Sequence, residues 1–413
     1  MPDEHALRAE APETTATKDH QRQATVTGIF GVIAVLAPLL GAAVPRAVAP
    51  LLIVGGFAAA VTWWMSNRRP PPVAVAWIAA FAALIVVSAM STTWAPDPDK
   101  GRDQAVQFLL LFTPALALAS VAATLQPVPG RFRLLPVTFA AGGLLLLFDL
   151  LAGLPLYNLA RGQVAFDGNP NDLNRNMVVL AAVVWPAAMV LWTTGRPLAA
   201  TMLPLGLAVP VMLGESQSAQ LGLIAGVAAL ALAAVGREWT RRAFGAVTVL
   251  VFLGVVPAAM WLHDKGMALD LLPPSARHRL DIWHFTAGHI LEKPLFGWGL
   301  EASRELGQGT VSTVVEGEGA LMPLHPHNAF LQIWLELGAV GVASVLVILL
   351  LALRGIGRMP EATHPPVLAA YAAGMAMVSI SYGIWQSWWL ATLLLTAALI
   401  VAVARSAAPQ PRV

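Results

Sequence analysis

Apolar runs long enough to cross a bilayer recur along this 413-residue chain, and no other feature narrows its fold so far. Spanning about 30 Å of hydrocarbon as a helix takes roughly 20 apolar residues. That window selects twelve segments: 27–45, 48–66, 72–93, 105–124, 134–154, 177–194, 198–214, 218–235, 243–262, 329–353, 366–384 and 386–404. The expected fold class is therefore all-α, a polytopic integral membrane protein of about 12 transmembrane helices. Composition agrees, since 57% hydrophobic and 12% charged residues lie far outside soluble usage. The absence of cysteine excludes disulfides and thiolate metal sites.

Charge placement sets the expected orientation. Fifteen of the 25 Lys and Arg fall on the side of the N-terminus and ten on the other. Five of those ten (Lys265, Arg277, Arg279, Lys293 and Arg304) share one long loop, a kind of segment that crosses largely regardless of charge. Both termini are thus expected in the cytosol. Residues 1–26 form a polar tail without the apolar core of a signal peptide. Helices 1–9 occupy 27–262, with an outer loop at 154–176; a large outer loop fills 263–328; helices 10–12 occupy 329–404, and 405–413 is a short tail. Within the large loop, SARHRLDIWHFTAGHILEKP carries Leu280, Trp283, Ala287 and Ile290/Leu291 at helical spacing, which predicts an amphipathic helix at the membrane surface, ended by Pro294.

No internal repeat, P-loop, dinucleotide fingerprint or HExxH occurs, and no nucleic-acid partner is expected. Asp97-Pro-Asp99 imitates a metal-binding DxD but reads as a solvated turn. Asp149 is an ionisable group inside an apolar run, hence either a functional candidate or a side chain that snorkels outward. The turn GESQS at Gly214–Ser218 reads as a polar connection. Functional residues are expected in the outer loops, where a rigid scaffold can position them.

The segment HPHNAFLQIWLELGAVG at 325–341 opens the tenth apolar run. Asn328 is a plausible N-cap, and His327 stands at the outer water boundary. A histidine there can take a proton from a hydroxyl, or it can merely cap a helix. Glu336, about half a turn out of phase with His327, reads as structural, and Gly338 and Gly341 as small residues that let helices approach. In the outer loops Arg161, Arg175, Arg277, Arg279 and Arg304 carry the planar fork that suits phosphate oxygens. Each alone could instead meet lipid headgroups, or pair locally as Arg277 with Asp281.

His327, Asn328, Leu331, Gln332, Glu336, Gly338 and Gly341 together follow the H-N-x-x-L-Q-x-x-x-E-x-G-x-x-G pattern, which resembles that of the O-antigen ligase and polymerase superfamily, with the glycine spacing of the ligases. Three further elements agree in order. Arg279-Leu-Asp-Ile-Trp283 is similar to the family's R-x-x-x-W, Pro294-Leu-Phe-Gly297-Trp-Gly299 to its P-x-x-G-x-G, and Arg161-Gly162 with Asn169-Pro170-Asn171 to its R-G and P-N. Where the family often shows Ser-Arg between helices seven and eight, this chain has Ser216-Gln217.

The resemblance implies a GT-C-type glycosyltransferase, inverting and metal-independent with no cofactor, at the periplasmic face of the bacterial inner membrane. The implied donor is a polysaccharide on undecaprenyl diphosphate and the implied acceptor a sugar of the lipid A core, with membrane lipids around the helices. His327 would be the catalytic base. Arg279 and Arg161, with Arg277 or Arg175, would hold the diphosphate, and Asn328, Gln332, Trp283 and Asn171 would support them. An O-antigen polymerase would use the same donor and is the alternative within the superfamily, followed by a protein O-oligosaccharyltransferase. A transporter for the lipid-linked glycan would instead place charges deep within helices.

Overall fold

Apolar runs of this length can satisfy their own backbone inside hydrocarbon by coiling into helices, and this chain does so. The structure, a computed structural model, describes residues 15–128, 130–162, 169–266, 274–310, 321–322 and 324–408. Every regular element among them is helical. In order these are α1 (Thr15–Ala43), α2 (Val48–Asn67), α3 (Val75–Ser91), α4 (Pro98–Ala122), α5 (Leu134–Leu151), α6 (Pro155–Ala160), α7 (Asn174–Thr193) and α8 (Pro197–Leu213). There follow α9 (Gln217–Val235), α10 (Arg237–Gly266), α11 (Pro274–Glu292), the single turn α12 (Ser303–Leu306), α13 (Ala329–Ile356), α14 (His364–Val378) and α15 (Ser387–Ser406). Residues 1–14 and 409–413 of the expected tails, and parts of both outer loops, lie outside the described residues.

Nine of the described helices are long and apolar enough to cross a membrane: α1 from Arg22, α2, α4, α5, α7, α9, α10, α13 and α15. α3 and α8 are shorter apolar helices. The chain is a multi-pass membrane protein. α7 is buried without interruption from Asn176 to Val190, as a helix that is apolar all round must be. Its Trp185 lies against α9 at Gly226, where a Cβ would come within 2.0 Å of the ring.

Sequential helices run up and down, so their connections sort to two ends. At the end where α1 begins, Gln23 Nε2 donates to the Thr124 carbonyl (3.1 Å) and Arg237 pairs with Glu361 (2.7 Å). At the other end Leu300 N donates to Ser91 Oγ (3.0 Å), Lys100 pairs with Glu305 (2.7 Å) and Arg279 reaches Gln217 (2.6 Å). The described residues of the sequence segments singled out for function collect at this second end.

Several elements depart from the hydropathy windows. α4 starts at Pro98 rather than near 105, because the Asp97 side chain accepts from the N–H groups of Asp99 and Lys100 and Pro98 fills the first helical turn. Asp97-Pro-Asp99 is thus a solvent-facing helix cap, with Asp99 paired to Arg102. α14 ends at Val378, short of 384, because the chain beyond it is captured by α13: Ile384 N donates to Gln332 Oε1 (3.0 Å). α11 is seated on protein, with Ile282, Ala287 and Ile290 packed with Val256 and Ala259 of α10 and Leu331 and Leu335 of α13.

The largest departure lies inside α13. Gly338 breaks the helix, with φ 60° and ψ −161°, a region essentially closed to other residues. The break frees the carbonyls of Leu335 and Glu336 and the N–H groups of Ala339 and Val340. The loop at Pro294–Gly299 takes up all four. Trp298 N donates to Leu335 O and Gly299 N to Glu336 O, each at 2.8 Å, while Ala339 N donates to Pro294 O (2.9 Å) and Val340 N to Leu295 O (3.3 Å). A Cβ on Gly338 would meet the Leu295 carbonyl at 2.4 Å, and one on Gly297 the Glu336 carbonyl carbon at 2.5 Å. Gly338 therefore admits a loop backbone rather than a neighbouring helix. Gly338→Ala is expected to cost at least roughly 1–3 kcal/mol, seen as a lowered thermal midpoint of the detergent-purified protein. Gly355→Ala, in the same helix with open space around its Cα, should leave that midpoint unchanged.

Candidate functional site

Pro326 keeps His325 out of helical conformation, so α13 starts only at Ala329, with Asn328 as its N-cap accepting from Leu331 N (3.1 Å). His327 lies just before the helix and takes a left-handed φ of 53°, a strained choice for a side chain of that size. Its surroundings impose it. His327 N donates to His325 Nδ1 (3.2 Å), and Trp283 Nε1 of α11 donates to the Pro326 carbonyl (2.9 Å). His327 Nδ1 sits 3.2 Å from the Ser381 carbonyl. A carbonyl can only accept, so Nδ1 carries the proton and Nε2 is left with the lone pair.

Burial, together with the positive charge of Arg279 and the nearby His278, pushes His327 down to about 4, against a smaller upward pull from the Ser381 carbonyl. His325 is pushed down to about 3, chiefly by burial and then by His327 and Arg304. Both imidazoles are neutral at physiological pH, and His327 offers an uncharged acceptor nitrogen beside a guanidinium. Arg279 is held by Gln217 Oε1 (2.6 Å), and burial lowers its own affinity for a proton. Gln217 takes its place in the site as the acceptor that aims Arg279.

Beneath His327, Gln332 and Glu336 tie three segments together. Glu336 is fully buried and its carboxylate accepts from Glu301 N (2.8 Å), Trp385 Nε1 (2.7 Å) and Gln332 Nε2 (3.1 Å). Glu336 does not face His327; it holds the 379–386 turn and the 299–301 loop against α13, and so fixes the height of Ser381.

The remaining arginines divide. Arg175, in the first turn of α7, lies over Tyr382 (5.8 Å) and Trp388 (6.0 Å), one residue along from Ser381. Arg161 stacks on Tyr157 (5.1 Å) and donates to its hydroxyl. Arg175 thus stands over the segment whose Ser381 carbonyl meets His327, while Arg161 is held by Tyr157. Asp149 serves the local structure, since its carboxylate accepts from Leu156 N (2.6 Å) and Tyr157 N (3.1 Å), which starts α6 and presents Tyr157. Arg277 lies two residues, about 200°, around α11 from Arg279, with a buried Nε that finds no hydrogen-bond partner among the described residues. Arg304 is paired with Glu301. Asn171 lies in a short 3-10 turn, Pro170–Leu173.

Residues missed in the sequence belong mostly to 379–386, SISYGIWQ. The apolar window absorbed that segment into two helices, although its Ser381, Tyr382 and Gly383 interrupt the run. Tyr157 and His278 carried no spacing signal of their own, whereas Gln217 stood where the resembling family often has arginine.

Residues 201–346, from within α8 to within α13, match the family described as O-antigen ligase. A Rickettsia conorii protein provisionally named a polysaccharide ligase is 30% identical over 230 residues, covering 53% of this chain and 55% of that protein. A Rickettsia prowazekii protein of the same provisional name is 30% identical over 231 residues, with the same shares. One from Rickettsia bellii is 28% identical over 306 residues, 70% of this chain and 71% of the relative. The chain thus spans about half the length of the first of these relatives. The matched region, less than half of the chain, carries α9 to α12 and the start of α13, which frame His327 and Arg279, and over that stretch the chain is similar to O-antigen ligase-type membrane proteins.

Proposed function

We propose that this protein is a glycosyltransferase that moves a polysaccharide from undecaprenyl diphosphate to a sugar hydroxyl of the lipid A core. All twelve apolar runs would cross the inner membrane, in a GT-C-type arrangement, with both termini in the cytosol and the His327 end facing the periplasm. The cation-rich end holding the start of α1 supports that orientation. The observation that carries the reading is the pairing of a neutral His327, its Nε2 lone pair available, with Arg279 beside it.

The step balances as a single inverting displacement. The acceptor oxygen bonds to the anomeric carbon as that carbon's bond to the diphosphate oxygen breaks. The hydroxyl proton passes to His327 Nε2, and the electron pair leaves with undecaprenyl diphosphate. Charge accumulates on the leaving group, where Arg279, Arg175 and Arg161 would meet it. Fixed guanidinium groups stabilise such charge without reorganising. They also tune the base. In the free protein Arg279 depresses His327; a bound diphosphate would offset that field, so His327 would become a stronger base once the donor is in place. Asn328, Trp283 and Gln332 hold the histidine's backbone and the Ser381 turn, and Asn171 lies on the loop that carries Arg161.

The direct test is reconstitution of the purified protein with lipid-linked polysaccharide and rough lipopolysaccharide, without added divalent cation. Mass gained by the lipopolysaccharide supports ligation. Mass gained only by the lipid-linked chain would make the protein a polymerase, and movement of the donor across vesicles without transfer would make it a transporter. His327→Ala should lower transfer by roughly 10²–10⁴-fold, the usual scale for a general base, with membrane insertion unchanged and lipid-linked polymer accumulating. Arg279→Ala should lose more activity than Arg304→Ala, because Arg304 already serves Glu301; equal losses would argue for diffuse headgroup attraction.

The pH profile has a definite sign. A base works deprotonated, and His327 is pushed below its ordinary value, so kcat/KM should hold as pH falls below 6 and be lost only on approach to about 4. The acid limb of kcat, which reports the donor-bound protein, should lie at higher pH. Coincident limbs would remove the proposed coupling between diphosphate and base.

A further inference from the structure

Away from the His327 patch, the C-terminal turn of α10 and the middle of α11 bring together His263, Asp264, His284 and Asp281. The rings of His263 and His284 stack with centroids 4.1 Å apart and planes 27° from parallel. Their Nδ1 atoms are both buried, and neither finds a hydrogen-bond partner among the described residues. Two orphaned imidazole nitrogens side by side are costly, because each has left water without a replacement. Asp264 Oδ1 lies 3.6 Å from His263 Nδ1, and Asp281 Oδ1 lies 3.7 Å from the same ring's Nε2.

We propose that this cluster binds a divalent transition-metal ion of zinc type, with His263, His284 and Asp264 as ligands. One ligand atom from each lies within 4.8 Å of the others. Three atoms so placed share a point within about 2.8 Å of all three, and a metal–imidazole bond needs about 2.0–2.1 Å, so small side-chain rotations close the site. Two imidazoles and a carboxylate suit zinc or a neighbouring metal rather than magnesium or calcium, which prefer oxygen alone. The two faces of His263 fit the pattern of a metal ligand. With Nδ1 on the metal, Nε2 carries the proton and points at Asp281, the carboxylate that orients a ligating histidine from behind.

The cluster clamps α10 to α11, the helix that carries His278, Arg279 and Trp283 to the His327 patch. The ion would be structural for that patch and would take no part in transfer. Binding is therefore tested apart from any glycan chemistry, and its failure would leave the transferase reading untouched.

The experiment uses the full chain, purified without a polyhistidine tag, stripped with chelator and titrated with Zn2+. Calorimetry should give one high-affinity ion per chain, and Zn2+ should raise the thermal midpoint. His263→Ala and His284→Ala should each remove both effects while keeping the midpoint of the stripped wild type. Asp281→Asn should weaken binding by roughly 10–100-fold. His364→Ala, in the other terminal region of the bundle, should change neither. Cobalt substitution gives a readout without variants, since visible d–d bands of low-coordinate Co2+ should appear in the wild type; the chain has no cysteine to produce them by thiolate ligation. Zinc binding no tighter than that of a His263→Ala/His284→Ala double variant, or wild type without cobalt bands, would overturn the proposal.

Discussion

Four backbone hydrogen bonds exchanged between the break in α13 and the Pro294–Gly299 loop fix the framework on which the candidate site is built. A broken helix at membrane depth is tolerable only where protein covers the freed groups. Here the coverage is reciprocal: two carbonyls and two N–H groups lost from the helix are each answered by the loop. The exchange needs backbone to touch backbone, so glycine stands on both sides, at Gly297 and Gly338. Once made, it locks the large loop onto α13 at a fixed height. The Glu336 side chain, on the turn just before the break, then gathers Glu301 N, Gln332 and Trp385.

From that anchor the His327 patch follows by short steps. Gln332 and Glu336 hold the turn between α14 and α15, and the turn presents the Ser381 carbonyl. That carbonyl fixes the proton on His327 Nδ1 and so leaves Nε2 as the acceptor. The strained backbone at His327 is sustained by His325 and by Trp283 of α11. One buried carboxylate deep in the helix thus governs the tautomer of a histidine nine residues away, through contacts and not through charge.

The cations around His327 have opposed effects that a single bound anion would reconcile. Without an anion, burial first and then Arg279 and His278 keep the imidazole neutral well below its ordinary value, and Arg279 itself is partly desolvated. Buried charge of this kind is costly to stability. Under the proposed function it would serve as a receptor for a phosphate-bearing group, whose arrival would offset the repulsion. The same logic explains Gln217. A neutral side chain in that turn orients Arg279 without neutralising it, whereas an acidic one would quench the field.

Much of the fold was legible in the sequence because hydrocarbon imposes a length and a composition on every helix that crosses it. Apolar runs marked the helices, Asn328 its cap, Pro294 the end of α11, and the H-N, E-x-G and P-x-x-G-x-G elements the segments that matter. Hydropathy could not show that α14 stops at Val378, since Ile380, Tyr382 and Ile384 keep the window apolar while Gln332 captures the backbone. Nor could it assign Asp149, whose partners are N–H groups seven and eight residues ahead, in the short helix it starts. The sequence by itself determined a many-helix membrane body and the residue types at its candidate site. Only the tertiary structure decided that Gly338 meets a loop rather than a helix, that Ser381 sets the proton on His327, that Gln217 holds Arg279, and that Arg175 lies over Tyr382 and Trp388. Those outcomes depend on contacts between distant segments, 54 residues apart for His327 and Ser381 and 62 for Arg279 and Gln217, and no local propensity encodes them.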